Sequence, residues 1–339
     1  MRDRSSSLAT HPLWTRWGPI ARLSSFRRAG ALVGAAALCA LTPACGGSTR
    51  SSSSTAPSQA AASSTKPTDA GRVMTFADAE SPEQIADRLD AVHGVTGLDL
   101  HGRGWDASLG EVLGKSSALA KLKTLDLSDN VLGPEGVRAL LESEYLGEIR
   151  RLDLSGNDIE DDGVEALANA TRLVRLEVLE LGSNGITSTG LERLTHSPIL
   201  ANVTSLDLTM NPIGSGGARL LADSPRLSRL QKLFLLGCGI RAQGAIALGQ
   251  SRHLPALKTL GLAGNAVGDD GAVALAGSTS LRRIRVLDLS ANRIGSVGAQ
   301  ALAKPGQLPE LQSLEMFGNP LDATAQAALG RRFGSRVRL

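Results

Sequence analysis

Leu152-Asp153-Leu154-Ser155-Gly156-Asn157-Asp158-Ile159 is the stretch on which the reading of this chain turns. Two leucines two apart point to one face of a short strand, because successive strand side chains alternate. The same word recurs at an unbroken spacing of 27. Its first leucine returns as Leu98, Leu125, Leu152, Leu179, Leu206, Leu233, Leu260, Leu287 and Leu314. An aliphatic residue stands three places before each, from Val95 to Leu311, and two places after come Leu100 to Leu289, then Met316.

Five residues after the first leucine stands an Asn: Asn130, Asn157, Asn184, Asn211, Asn265, Asn292 and Asn319, with Cys238 once in its place. Where the backbone turns away from a sheet it leaves amides and carbonyls that strands cannot satisfy. A buried Asn offers both a donor and an acceptor to them, so stacked repeats should build a ladder. An aliphatic residue follows (Leu132, Ile159, Ile186, Ile213, Ile240, Val267, Ile294, Leu321). Then Gly136, Gly163, Gly190, Gly217, Gly244, Gly271 and Gly298 lead into helical stretches typified by Ala139-Leu140 and Ala301-Leu302. Gly and Ala there are expected to let each helix approach the sheet closely.

Written as Leu-x-x-Leu-x-Leu-x-x-Asn-x-Ile with a later Gly and Ala-Leu, the pattern resembles the ribonuclease-inhibitor-like class of leucine-rich repeats over about 95–339. The resemblance implies an α/β horseshoe solenoid, with a parallel sheet on the concave face and helices on the convex one. Geometry points the same way. Strands stack about 4.8 Å apart and helices about 9 Å apart, so each unit turns by roughly 20–25° and nine units sweep about half a ring. Aromatics at 3% suit many small aliphatic cores better than one large one.

Solenoid ends must differ from internal units because they face water. Ser81-Pro82-Glu83-Gln84 reads as a capping box with Pro at the first helical position, inside an N-terminal cap expected over 73–97. The first unit has Arg103 in the Asn place and Trp105 in the aliphatic slot. At the other end Ala325 replaces Gly, and the sequence reaches Leu339 before a tenth strand is expected. The repeat domain with its C-terminal cap is thus expected over 98–339.

Residues 1–45 read as a signal segment. An Arg-rich start precedes an apolar run from Ala29 to Leu41, too short to span a bilayer. Leu41-Thr42-Pro43-Ala44-Cys45-Gly46-Gly47-Ser48 resembles a bacterial lipoprotein signal, which implies lipidation at Cys45. It departs from that pattern in having Thr42 three before the Cys and Leu41 one further back. Plain secretion with cleavage near Ala44 is the competing reading. Residues 46–72, rich in Ser, Thr, Ala and Pro, are expected to be a disordered tether whose ends average roughly 25–30 Å apart. These segments place the protein in the cell envelope, on a membrane by its lipid alone. Cys238 stands by itself in the body, so no disulfide framework is expected.

The formal charge of +3 misleads, since residues 1–45 hold six Arg and one Asp; beyond them stand 30 basic and 32 acidic side chains. Binding to nucleic acid therefore has no electrostatic support. Alternation fixes the columns expected on the concave face. One reads Asp99, Asp126, Asp153, Glu180, Asp207, Phe234, Gly261, Asp288, Glu315. The next reads His101, Ser128, Ser155, Gly182, Thr209, Leu236, Ala263, Ser290, Phe317. With Met210, the residues Phe234 and Leu236 make an apolar break in an acidic face. That break could anchor a protein partner, with the carboxylates favouring a basic one. Equally, the acidic column could be repeat consensus copied by duplication.

His93, His101, His196 and His253 occupy unrelated repeat positions, so no metal-ligand or nucleophile–base spacing emerges. Asp161-Asp162 and Asp269-Asp270 precede glycines at helix starts, where capping accounts for them. No cofactor and no enzyme signature are expected. The reading is a non-catalytic protein-binding module. The alternatives are a regulator similar in repeat type to the Ran GTPase-activating proteins, which an export signal opposes, and a purely structural envelope protein.

Overall fold

The computed structural model describes residues 64–68, 71–76 and 81–339. Cys45, the apolar run and most of the expected tether lie outside the described residues. Nine strands follow the 27-residue word: β3 (Val95–Asp99), β4 (Thr124–Asp126), β5 (Arg151–Asp153), β6 (Val178–Glu180), β7 (Ser205–Asp207), β8 (Lys232–Phe234), β9 (Thr259–Gly261), β10 (Val286–Asp288) and β11 (Ser313–Glu315). They pair in parallel with Leu opposite Leu, from Leu98↔Leu125 to Leu287↔Leu314. Register is the sequence period made visible. A slip of one residue would turn every core leucine outward.

A helix follows each strand on the opposite side: α2 (Ala107–Lys115), α3 (Gly133–Leu141), α4 (Glu160–Ala168), α5 (Ser188–His196), α6 (Gly214–Asp223), α7 (Ala242–Gln250), α8 (Gly268–Ala276), α9 (Ser296–Ala303) and α10 (Ala323–Phe333). The Leu-x-Leu pairs and the Val-x-x-Leu-like helix positions meet between the layers. Leu179, Leu181, Leu191 and Leu194 are all fully buried in one continuous core. The architecture is an α/β solenoid with an open sheet. Among the described residues no helix is long and apolar enough to cross a membrane.

The sheet extends beyond the nine repeats at both ends. β1 (Ser64–Thr68) and β2 (Gly71–Thr75) pair antiparallel, and β2 continues the parallel sheet onto β3. The tether expected up to 72 therefore contains strand. Physically, β3 would otherwise present a row of unpaired amides and carbonyls, which a preceding segment can satisfy whatever its composition. Met74 and Phe76 are buried beneath this addition. The capping box at Ser81 forms as written, with Gln84 N–H donating to Ser81 Oγ and Ser81 N–H to Gln84 Oε1. It opens α1 (Pro82–Ala91). At the far end a short β12 (Val337–Arg338) pairs with β11, so a tenth strand does begin, contrary to expectation. It comes 23 residues after Leu314, with Leu314↔Val337 in register, and so escapes a search at 27.

The glycines serve a different purpose from the one expected. A Cβ on Gly244 would fall 3.0 Å from Ala218 Cβ and 3.0 Å from Ser215 Cα, both of the preceding helix. On Gly136 it would lie 2.7 Å from Ala107 Cα. The aliphatic residue four places earlier crowds the same spot, with Ile240 Cγ2 at 2.8 Å from the Gly244 position and Val267 Cγ1 at 2.6 Å from Gly271, so the glycine makes room for its own turn and for the preceding helix.

Candidate functional site

Each repeat's Asn builds a rung. Asn184 Nδ2 donates to Leu154 O (2.9 Å), Leu181 O (3.0 Å) and Gly182 O (3.2 Å), while Oδ1 accepts from Asn157 N (2.9 Å) and Ile159 N (3.4 Å). It thus joins its own turn to the preceding one. At Cys238 the thiol donates to Leu208 O at 3.1 Å and its sulfur accepts from the Asn211 N–H, a weaker acceptor than Oδ1, while Ile213 N turns instead to Asn211 O. Burial pushes the thiol up to about 12, so it is unreactive at neutral pH.

Two further ties between repeats carry no weight in a reading of Leu and Asn alone. Ser197, Ser224 and Ser251 are buried at one repeat position, and their Oγ atoms donate to the carbonyls of Ala168, Thr195 and Ala222 at 2.5, 2.6 and 2.5 Å. Asp269 Oδ1 accepts from Gly295 N and Gly298 N, both at 2.8 Å, and Asp161 accepts from Thr187 N at 2.8 Å. These acids cap the next repeat's helix rather than only their own. Among the described residues no group of three His, Cys, Asp or Glu could hold a metal.

The candidate residues share the sheet face that the helices leave open. Asp126, Asp153, Glu180, Asp207, Phe234, Gly261, Asp288 and Glu315 stand in register on consecutive strands. Several of the aspartates have an internal task. Oδ1 of Asp126, Asp153, Asp207 and Asp288 accepts the N–H of Ser128, Ser155, Thr209 and Ser290 at 3.1, 3.0, 2.8 and 2.9 Å. The Asp-x-Ser/Thr pairing closes the turn after the strand, a local reason for its recurrence. Glu180, followed by Gly182, does otherwise and pairs with Arg151, which also lies 3.9 Å from Asp153. Glu315 is 3.6 Å from Arg338.

Stacking carboxylates on adjacent strands has an electrostatic consequence. Burial, then the neighbouring Asp153, raise Glu180 to about 8 against the opposing pull of Arg151. Burial likewise raises Asp126 and Asp207. At Glu180 the column is thus less negative near neutrality than its sequence suggests.

The apolar break is built on glycine. A Cβ on Gly261 would meet the Phe234 ring at 3.3 Å, and one on Gly237 would lie 2.6 Å from Met210 Sδ. Each large side chain therefore lies across the bare glycine of the next repeat. Met210 is 48% exposed and Leu236 41%. Met210 also has φ +58°, in the left-handed region, at a repeat position where Gly156, Gly237 and Gly264 but also Asp129, Ser183 and Ala291 have positive φ. A non-glycine there costs about 1–2 kcal/mol. Phe317, 71% exposed, stands three strands away from Phe234 and is not part of this group.

The column missed by the sequence reading lies at the strand entries, where Arg151 and Lys232 sit beside the acidic column. Strand alternation already places them on the open face, two residues before Asp153 and Phe234.

Six stretches of the chain, 118–141, 149–168, 176–194, 200–222, 253–276 and 281–303, match the Leucine Rich repeat family model. Within those stretches the repeats are of the leucine-rich type. No curated relative matches the chain in sequence. Among solved structures it is similar to that of a TDR receptor, at 20% identity and TM-score 0.43, over 72% of this chain and 38% of the receptor. It is also similar to a protein from Bacteroides fragilis, at 17% identity and TM-score 0.46, over 78% of this chain and 73% of that one. The chain thus spans well under half the length of the receptor.

Proposed function

We propose that this leucine-rich-repeat protein is a non-catalytic binding module of the ribonuclease-inhibitor-like class. In this reading it is exported, lipidated at Cys45, and docks a protein partner on the open, concave face of its sheet. Domains of this repeat type generally mediate protein–protein interaction. The observation that carries the reading is the cluster of Met210, Phe234 and Leu236, with Met210 and Leu236 exposed and Met210 and Phe234 lying across glycines of the next repeat. Solvent-exposed apolar groups of this size carry a cost unless a partner covers them. The acidic column of β4 to β7, its charge reduced at Glu180 by burial, adds a modest preference for basic groups on that side.

The test is crosslinking of the full chain in its native envelope, comparing wild type with the Phe234→Ser/Leu236→Ser double variant. Loss of specific crosslinked proteins is the expected result, and an unchanged set overturns the site. The anchor is tested by palmitate labelling of wild type against Cys45→Ala. Equal labelling overturns lipidation.

A further inference from the structure

From Ser224 to Gly268 the chain contains no Asp or Glu, while Arg226, Arg229, Lys232, Arg241, Arg252 and Lys258 all fall within it. Most of these cations gather where the chain enters its strands. Arg226 lies in the turn Pro225–Leu227 ahead of β8, Lys258 directly precedes β9, and Arg282, Arg283 and Arg285 precede β10. All but Lys258 are exposed. Arg229 and Arg283 occupy one repeat position two units apart, which sets them about 10 Å from each other along the sheet edge. Gln231, Lys258 and Arg285 are successive rungs, since Lys258 N donates to Gln231 O and Arg285 N to Lys258 O, each at 2.8 Å.

The same positions earlier in the chain are neutralised. Arg150 pairs with Glu177, and Arg175 with Glu148 at 2.6 Å, each across one repeat. In the later repeats the geometry persists, but an amide stands where the carboxylate was. Arg229 Nη1 donates to Asn202 Oδ1 at 2.8 Å and Lys258 Nζ to Gln231 Oε1 at 3.0 Å, again one repeat apart. Among the described residues Arg226, Lys232, Arg252, Arg282 and Arg283 have no ion pair. Arg285 has one, to Glu310 at 3.4 Å. The charge is held in place by neutral partners and left uncompensated. Lys232 carries it onto the strand face, two residues before Phe234.

We propose that the strand-entry rim of β8 to β10, with Lys232 and the adjoining Phe234 and Leu236, docks an acidic polypeptide segment bearing a central apolar side chain. This rests on the open-face reading above and adds the chemistry of the partner there. Carboxylates of the segment meet the Arg and Lys rim while its apolar group covers Phe234 and Leu236. A continuous polyanion such as a nucleic acid fits less well. Asp207 is in register beside Phe234, and Asp288 closes the far side of Gly261, so phosphates crossing the sheet would run over carboxylates. A flat lipid surface reaches the rim but not the strand face behind it.

The experiment uses the full chain and two fluorescein-labelled peptides with the same central Leu-Phe, one flanked by Asp and Glu, the other by Lys, read by anisotropy. The acidic peptide is expected to bind, and to bind about tenfold more weakly to Arg229→Gln/Lys232→Gln/Arg283→Gln and in raised salt. Arg229→Lys/Arg283→Lys retains binding. The lysine peptide is expected to ignore the triple variant and to weaken with Asp153→Asn. An acidic peptide that fails to bind, or that binds the triple variant as well as wild type, overturns the inference. So does its displacement by a single-stranded oligonucleotide or anionic vesicles at comparable concentration. Binding of the lysine peptide alone overturns the inference and leaves the proposed face standing, whereas silence from both overturns both.

Discussion

Leu179 and Leu181 face the helix layer, and Glu180 between them faces outward. The inner column is Leu in every unit at the first position, whereas the outer column runs from Asp through Glu and Phe to Gly. Every inner position meets the same surroundings one repeat further on, so the same residue solves the same problem nine times. The outer face has no such fixed neighbour, and its residues answer to the turn, to the next strand and to whatever docks. Repetition therefore reports on packing, and departures from repetition report on use.

The largest break in this contrast comes from within. Asn184→Ala removes the rung that serves two turns and leaves buried amides and carbonyls without partners, and should lower unfolding free energy by about 3 kcal/mol in urea titration. On the face, Glu180 holds its proton more tightly folded than unfolded. Protons are therefore released on unfolding, and stability should fall as the pH rises from about 5 to about 8. Glu180→Gln should flatten that slope, which amounts to roughly 1–2 kcal/mol once solvent screening is allowed for; a melting temperature as pH-dependent as wild type would count against the stacked-carboxylate account.

Cys238→Asn exchanges a weak sulfur acceptor for an amide oxygen facing the preceding turn and should raise stability by about 1 kcal/mol in the same titration. The smallest effect is on the face. Met210→Gly relieves a left-handed backbone but strips the cover from Gly237, for a net gain of about 0.5 kcal/mol, together with weaker capture of the partner.

The strands, their register and the Asn ladder were legible because each recurs at one spacing with one residue type. The buried Ser column was not, since Ser after a helix reads as an ordinary turn residue until its Oγ is seen on a carbonyl of the previous unit. β1 and β2 have no counterpart one repeat away, and β12 comes early, so periodicity could not find either end. Arg332 stands in that Ser column, and its guanidinium reaches the carbonyls of Leu302 and Gln307, a substitution of cation for hydroxyl visible only in three dimensions. Of the candidate face, the apolar break could be read from alternation. The Asx turns under the acidic column and the exchange of carboxylate for amide along the rim depend on partners 2 or 27 residues away, and single columns do not display them.

The caps that Asp161 and Asp269 provide run in one direction only, each from a unit to its successor, while Asn and Ser reach back to the unit before. The arc is accordingly a rope with a lay. Stripping a unit from the leading end bares the amide end of the following helix, and stripping one from the trailing end frees turn carbonyls and amides together. Under tension the two ends should fray at different forces, so a tether joined at the N-terminal side would load the molecule from its acid-capped end.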